Sequence, residues 1–135
     1  MRLPSLLLAL SLPLAAQSAL VWEHDLANAQ KRAKKEGKLL FVDVWAEWCP
    51  PCQHLKANVF PSPEAQKALQ AYVPVSLMTE TRDRREQPVA AAVARRYRVE
   101  AYPTLLIMDA DGKERKRQVG ALPTGQALAA WLARK

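Results

Sequence analysis

The chain has 135 residues, half of them hydrophobic, which suits one domain with a buried core. Its formal charge is +7, with the cations scattered among acids and the densest run, Lys113 to Arg117, broken by Glu114. Such a surface steers acidic partners, but no aromatic platforms interleave with the basic residues, so nucleic-acid binding is not expected.

The first residues read as an export signal. Arg2 supplies a positive start, Leu3 to Ala16 is apolar apart from Pro4 and Pro13, and Ala15-Ala16-Gln17-Ser18-Ala19 offers small-x-small cleavage sites. The apolar stretch is shorter than the ~20 residues of a membrane helix, which favours cleavage over an uncleaved anchor. Either way the domain lies outside the membrane. The expected division is a signal peptide over 1–19 and one domain over 20–135. Loss of Arg2 takes the 20 basic residues to 19 against 13 acidic ones, a charge of +6.

Leu26, Ala29 and Ala33 recur at helical spacing after Asp25, a good cap, and Gly37 ends that helix. Leu39 to Trp45 is a β-branched and aromatic run, hence a buried strand. A helix is expected from Cys49 to about Asn58. Ser62-Pro63-Glu64 is a cap followed by proline at the first helical position, opening a helix to about Ala71. Val73 to Met78 reads as a strand, with Pro74 at its start or on a sheet edge because it lacks a ladder donor. Arg82 to Glu86 reads as a solvated loop, and Glu86 to Tyr97 as a helix that tolerates Pro88 in its first turn. Thr104 to Met108 and Glu114 to Val119 are strands joined by the Asp109-Ala110-Asp111-Gly112 turn. A last helix, from Pro123 or Thr124 to Ala133, presents Leu128, Trp131 and Leu132. This order predicts an α/β fold, a central mixed sheet flanked by helices on both faces.

The only two cysteines, Cys49 and Cys52, are spaced C-x-x-C. Exported chains meet an oxidising compartment where disulfides persist. A bridge over two residues closes so small a loop that it stabilises little, which argues for chemistry rather than stapling. Cys49 follows a buried strand and precedes a helix, where N–H groups and the helix dipole favour a thiolate. Cys52, one turn on, is placed to resolve a mixed disulfide. The residue before a proline avoids the α region, so Cys49 and Pro50 are both expected to be extended, with the helix beginning at Pro51. Neither Pro50 nor Pro51 offers an N–H to the Cys49 thiolate, which limits its acidification and argues against a strongly oxidising pair. A c-type haem site needs histidine after the second cysteine, where Gln53 stands. Cys49, Cys52 and His54 make three metal ligands at most, whereas structural zinc wants four and His24 is the only other histidine.

Val42-Asp43-Val44-Trp45-Ala46-Glu47-Trp48-Cys49-Pro50-Pro51-Cys52 resembles the active-site stretch of the thioredoxin family, differing at Val44 and Pro50. Tyr102-Pro103-Thr104-Leu105 resembles the family's cis-proline loop. Val119-Gly120-Ala121-Leu122 resembles its third substrate-facing segment, with Gly125-Gln126 following at the usual distance. Trp48-Cys49, Val59-Phe60, Ser62-Pro63 and Gln66-Lys67-Ala68-Leu69 are similar to the exported thiol:disulfide interchange branch, typified by the C-terminal domain of DsbD. The resemblance spans most of Lys38 to Lys135. It implies that Asp43 helps deprotonate Cys52, and that a cis Pro103 shapes a groove lined by Trp48, Tyr102, Gly120 and Ala121. It also implies that Glu47 tunes local electrostatics. Two departures stand out. The family's lysine near the buried aspartate has no counterpart in Val75 to Met78, and Lys56 stands where the DsbD-type domain has an acid.

The reading is therefore a thioredoxin-like domain that reduces disulfides in exported proteins of the periplasm or an equivalent compartment. No cofactor is called for, a monomer is expected, and the partners are protein disulfides and a membrane or soluble thiol electron donor. Alternatives are a disulfide oxidase or isomerase, a metal-carrying module using Cys49, Cys52 and His54, and a non-catalytic interaction protein on the same fold.

Overall fold

A computed structural model describes Met1 and residues 19–135; the expected signal peptide lies, but for its two end residues, outside them. Asp25 caps helix α1 (Leu26–Glu36) by accepting from the Asn28 N–H at 2.9 Å, and Gly37 ends it at φ 64°, a left-handed turn that glycine adopts without Cβ strain. The chain continues through β1 (Leu39–Ala46), α2 (Pro50–His54) with a π-helical turn over Leu55–Val59, α3 (Pro63–Leu69), β2 (Tyr72–Glu80), α4 (Pro88–Arg96), β3 (Thr104–Met108), β4 (Glu114–Val119) and α5 (Gly125–Ala133). The element order is the one the sequence predicts.

The four strands form one sheet in the order β2-β1-β3-β4, with β1 parallel to β2 and antiparallel to β3, and β3 antiparallel to β4. Pro74 lies inside β2 rather than at its start, and β2 is the edge strand. Its carbonyl accepts from the Glu23 N–H at 2.9 Å on the outer side, so its nitrogen also faces outward and no ladder bond is lost.

Alternation along β1 divides the core in two. Leu40, Val42 and Val44 join α1, β2 and α4 in the first core. Phe41 joins Leu55, Val59, Phe60, Leu69, Leu105, Leu128 and Trp131 in the second, on the face covered by the π turn, α3 and α5. Asp43 shares the parity of Phe41 and so points toward the second face. On that face α5 approaches α3 closely: a Cβ on Gly125 would lie 1.7 Å from Ser62 Oγ, the atom that caps α3.

The helix after the motif starts one residue earlier than expected. Cys49 is extended (φ −83°, ψ 114°), but Pro50 is already helical, and the Cys49 carbonyl accepts from the Gln53 N–H at 3.1 Å. Part of the pre-proline restriction is a clash with the preceding N–H. Pro50 has none, so it enters the helix, where a first-turn nitrogen needs no donor.

Candidate active site

Cys49 and Cys52 form a disulfide with Cα atoms 5.3 Å apart. The strand ends at Ala46, whose carbonyl accepts from the Cys49 N–H at 3.2 Å, and this turn sets Cys49 as the N-cap of α2. The Cys52 N–H points at Cys49 Sγ from 3.3 Å, a donor that the missing proline N–H groups leave in place. Cys49 is 2% exposed and Cys52 fully buried. Cys49 is expected to be the exposed thiol and Cys52 the shielded one; Cys52 is shielded, but Cys49 is buried too, because Trp45, Trp48 and Tyr102 pack around the pair.

The Tyr102–Pro103 peptide is cis. The Pro103 carbonyl accepts from the Gly120 N–H at 2.8 Å, tying this loop to the end of β4. Gly120 has φ 87° and open space where a Cβ would sit, so its conformation rather than crowding calls for glycine. Trp48 and Tyr102 meet edge to face with ring centroids 6.1 Å apart. The structure brings Cys49, Cys52, Trp48 and Tyr102 into one cluster and joins Pro103 to Gly120 by the bond just described. Ala121 is half-buried and packs on the second core.

Asp43 is fully buried, and no group among the described residues donates a hydrogen bond to either carboxylate oxygen. Burial pushes its pKa from 3.8 up to about 7, and the Lys56 ammonium opposes that rise. Burial in turn pulls Lys56 below its usual value, with Asp43 opposing. Lys56 therefore supplies, from the helical side, the cation missing from β2. Its Nζ lies 3.7 Å over the centroid of Trp45, whose indole N–H donates to Ser76 Oγ at 2.9 Å. Asp43 and Lys56 line a cavity of about 410 Å³ together with Trp22, His24, Phe60 and Ser76. In the sequence Lys56 stands out only as a departure from the family pattern. Its spacing, four residues after Cys52 in a helical segment, was the available signal.

Arg82 to Glu86 are all exposed, as expected of a solvated loop, but their backbone is held in place. Glu80 and Glu86 pair as an antiparallel bridge, and the Thr81 N–H donates to the Arg85 carbonyl at 2.9 Å. Glu47, the implied electrostatic tuner, accepts the Arg82 N–H at 2.7 Å. Trp48 donates its indole N–H to Glu80 at 2.7 Å, and the Arg84 guanidinium sits 4.0 Å over the Trp48 ring. Glu80 and Arg84 had no signal in the sequence, because only the return of β2 brings them to Trp48.

His54, the third ligand of the metal-carrying alternative, has Nε2 2.9 Å from the Pro123 carbonyl and Nδ1 3.2 Å from the Asn58 amide. Among the described residues no group of three histidine, cysteine, aspartate or glutamate side chains converges to hold a metal ion. Nor is any helix among them long and apolar enough to cross a membrane.

This arrangement has relatives. DsbD 2, a thiol:disulfide interchange protein of Pseudomonas aeruginosa, is 32% identical over 103 residues, which is 75% of this chain but 17% of that protein's length. DsbH oxidoreductase superposes with a TM-score of 0.73 at 21% identity, covering 93% of this chain and 89% of that one. The oxidised C-terminal domain of DsbD from Neisseria meningitidis superposes with a TM-score of 0.65 at 18% identity, covering 82% and 96%. Residues 26–135 match the family described as thioredoxin-like domain. A redox-bonded C-x-x-C at the head of a helix, a cis-proline loop beside it and that match over most of the chain lead to one conclusion: this protein belongs to the thioredoxin-like thiol:disulfide oxidoreductase family.

Proposed function

We propose that the domain, residues 20–135, works as an exported protein-disulfide reductase. The Cys49 thiolate attacks one sulfur of a substrate disulfide and releases the first substrate thiol. Cys52 then loses its proton to Asp43 and attacks Cys49 Sγ in the mixed disulfide. The second substrate thiol leaves, and two electrons have passed to the substrate as the Cys49–Cys52 disulfide forms. A membrane or soluble thiol donor restores the dithiol. Trp48, Tyr102, Pro103 and Gly120 form the groove, with Ala121 behind it.

The observation that carries this reading is the Cys49–Cys52 disulfide at the head of α2, with the buried Asp43 carboxyl, its pKa pushed up to about 7 by burial, in the adjacent strand. A base tuned near neutrality suits proton removal from a resolving thiol. The direction rests on the poor donor set at Cys49: with two prolines in the turn, the Cys52 N–H is the motif's one donor to Sγ. A weakly stabilised thiolate is a better reductant. Export rests on the Arg2 to Ala19 pattern, and the packing of Leu20 and Trp22 on the second core supports a boundary near residue 19.

Alkylation trapping of Cys49 and Cys52 in cells tests the direction. A mostly reduced pair is expected, and a mostly oxidised pair makes the protein an oxidase or isomerase. Turnover in insulin reduction separates an enzyme from a binding module. The intact mass of the exported protein is expected to start near Ala19 or Leu20, and a mass that retains Met1 to Leu14 overturns cleavage.

A further inference from the structure

Building on the reductase reading, we infer that Arg84 and Arg82 select substrates with an acidic side chain beside their disulfide. Arg84 covers the ring of Trp48, the residue adjacent in sequence to Cys49, with its guanidinium carbon 4.0 Å from the centroid. Arg82 lies two residues earlier in the same turn, its backbone N–H donating to the carboxylate of Glu47, the neighbour of Trp48 in sequence, at 2.7 Å. Both side chains are exposed, and neither is paired with a carboxylate among the described residues.

Of the nearby acids, Asp83 and Glu86 are paired with arginines, whereas Glu80 and Glu47 accept only from neutral N–H groups and keep their charge. Asp83 accepts from the Thr81 hydroxyl at 2.5 Å and pairs with Arg85 at 2.9 Å. Glu86 pairs with Arg95 at 3.1 Å, Glu80 takes the Trp48 indole N–H, and Glu47 takes the Arg82 N–H. Arg84 and Arg82 remain without a carboxylate partner among the described residues, and Arg84 lies on the Trp48 ring, where a docking substrate meets it.

The turn that presents them is built, not slack. The Arg84 N–H donates to the Thr81 carbonyl at 2.9 Å, and the Arg85 N–H to Thr81 Oγ1 at 3.0 Å. Arg84 itself sits at φ 62°, a left-handed conformation that arginine rarely takes. A fixed backbone and an aromatic platform reduce the entropy lost when a guanidinium meets a carboxylate. A planar guanidinium already stacked on a ring can still accept a carboxylate at its edge, in two parallel bonds.

The test uses the reduced full chain and two cystine peptides, identical except that glutamate or lysine flanks the disulfide. Exchange is followed by stopped flow at low salt and at about 1 M, where charge is screened beyond ~3 Å. The wild type is expected to favour the acidic peptide in kcat/KM, and high salt to remove the preference. Arg84→Asn, which tolerates the left-handed backbone, is expected to lower the acidic-to-basic ratio by up to about fivefold, the range of an exposed ion pair. Arg82→Gln added to it lowers the ratio further. Arg115→Gln removes one charge elsewhere, where Arg115 pairs with Asp109, and keeps the ratio.

A wild-type ratio near one, a ratio that survives the double substitution, or an equal fall in Arg115→Gln overturns the inference. The wild-type comparison stands even where a variant folds badly. Exchange with neither peptide strikes the reductase reading itself, a different result from exchange without preference.

Discussion

Asp43→Asn is the sharpest perturbation of this molecule, because the buried carboxyl ties stability to chemistry. The group titrates at about 7 in the folded chain against an ordinary value of 3.8. Below pH 3.8 it is protonated in both states and costs nothing. Between the two values the native state holds a proton that the unfolded state has lost, so stability falls as pH rises, by about 1.4 kcal/mol per pH unit in mid-window. Above the window the native state bears the full difference, about 4 kcal/mol from a folded value of about 7. Asparagine removes this titration but buries an amide where neither carboxylate oxygen finds a hydrogen-bond partner, a cost of about 1–3 kcal/mol if the amide is left unpaired. The variant is therefore expected to be more stable than wild type at pH 8. Its advantage over wild type should grow by about 3 kcal/mol between pH 5 and pH 8. Denaturant melts of the oxidised proteins across that range give the comparison. Stopped-flow exchange gives the second half, because slower resolution of mixed disulfides is expected when Cys52 loses its proton acceptor. A stability gap that stays constant from pH 5 to pH 8 shows that Asp43 does not titrate there. With unchanged exchange rates as well, it refutes the proton-transfer assignment.

Lys56→Met removes the cation that opposes the rise in the Asp43 pKa, so the fall of stability with pH should extend to higher pH; an unmoved window refutes the coupling. Cys52→Ser should trap mixed disulfides with substrates and Cys49→Ser few, and equal trapping reverses or voids the two roles. The reduction potential, measured against glutathione or dithiothreitol, should fall between about −270 and −180 mV, whereas a value near −120 mV contradicts the reductase direction. Gly125→Ala drives a Cβ into Ser62 Oγ and should cost about 1–3 kcal/mol in a denaturant melt through lost packing and a lost α3 cap. A neutral effect means that the two helices part freely.

Local chemistry was legible in the amino-acid sequence wherever cause and effect lie within a few residues. Asp25, Gly37, Ser62-Pro63 and Thr124 mark helix ends through caps that act over three or four positions. The hydrophobic runs from Leu39 and Thr104 mark buried strands, and C-x-x-C between strand and helix marks the redox pair. What proved misplaced was also local but finely balanced: Pro50 enters the helix because it lacks the N–H that would have clashed.

Tertiary structure decided everything that depends on two distant segments meeting. The sheet order β2-β1-β3-β4 puts Glu80 and the 81–86 turn, exposed from Arg82 on, beside Trp48, so a solvated loop also borders the site. The parity of Asp43 in β1 and the packing of the π turn put Lys56 on the same cavity as its carboxylate, a charge interaction across thirteen positions in the chain. Part of the cover over Cys49 likewise comes from Tyr102, carried in on the cis-proline loop. Burial and charge proximity are properties of the assembled layers, and a pattern read one neighbourhood at a time contains neither.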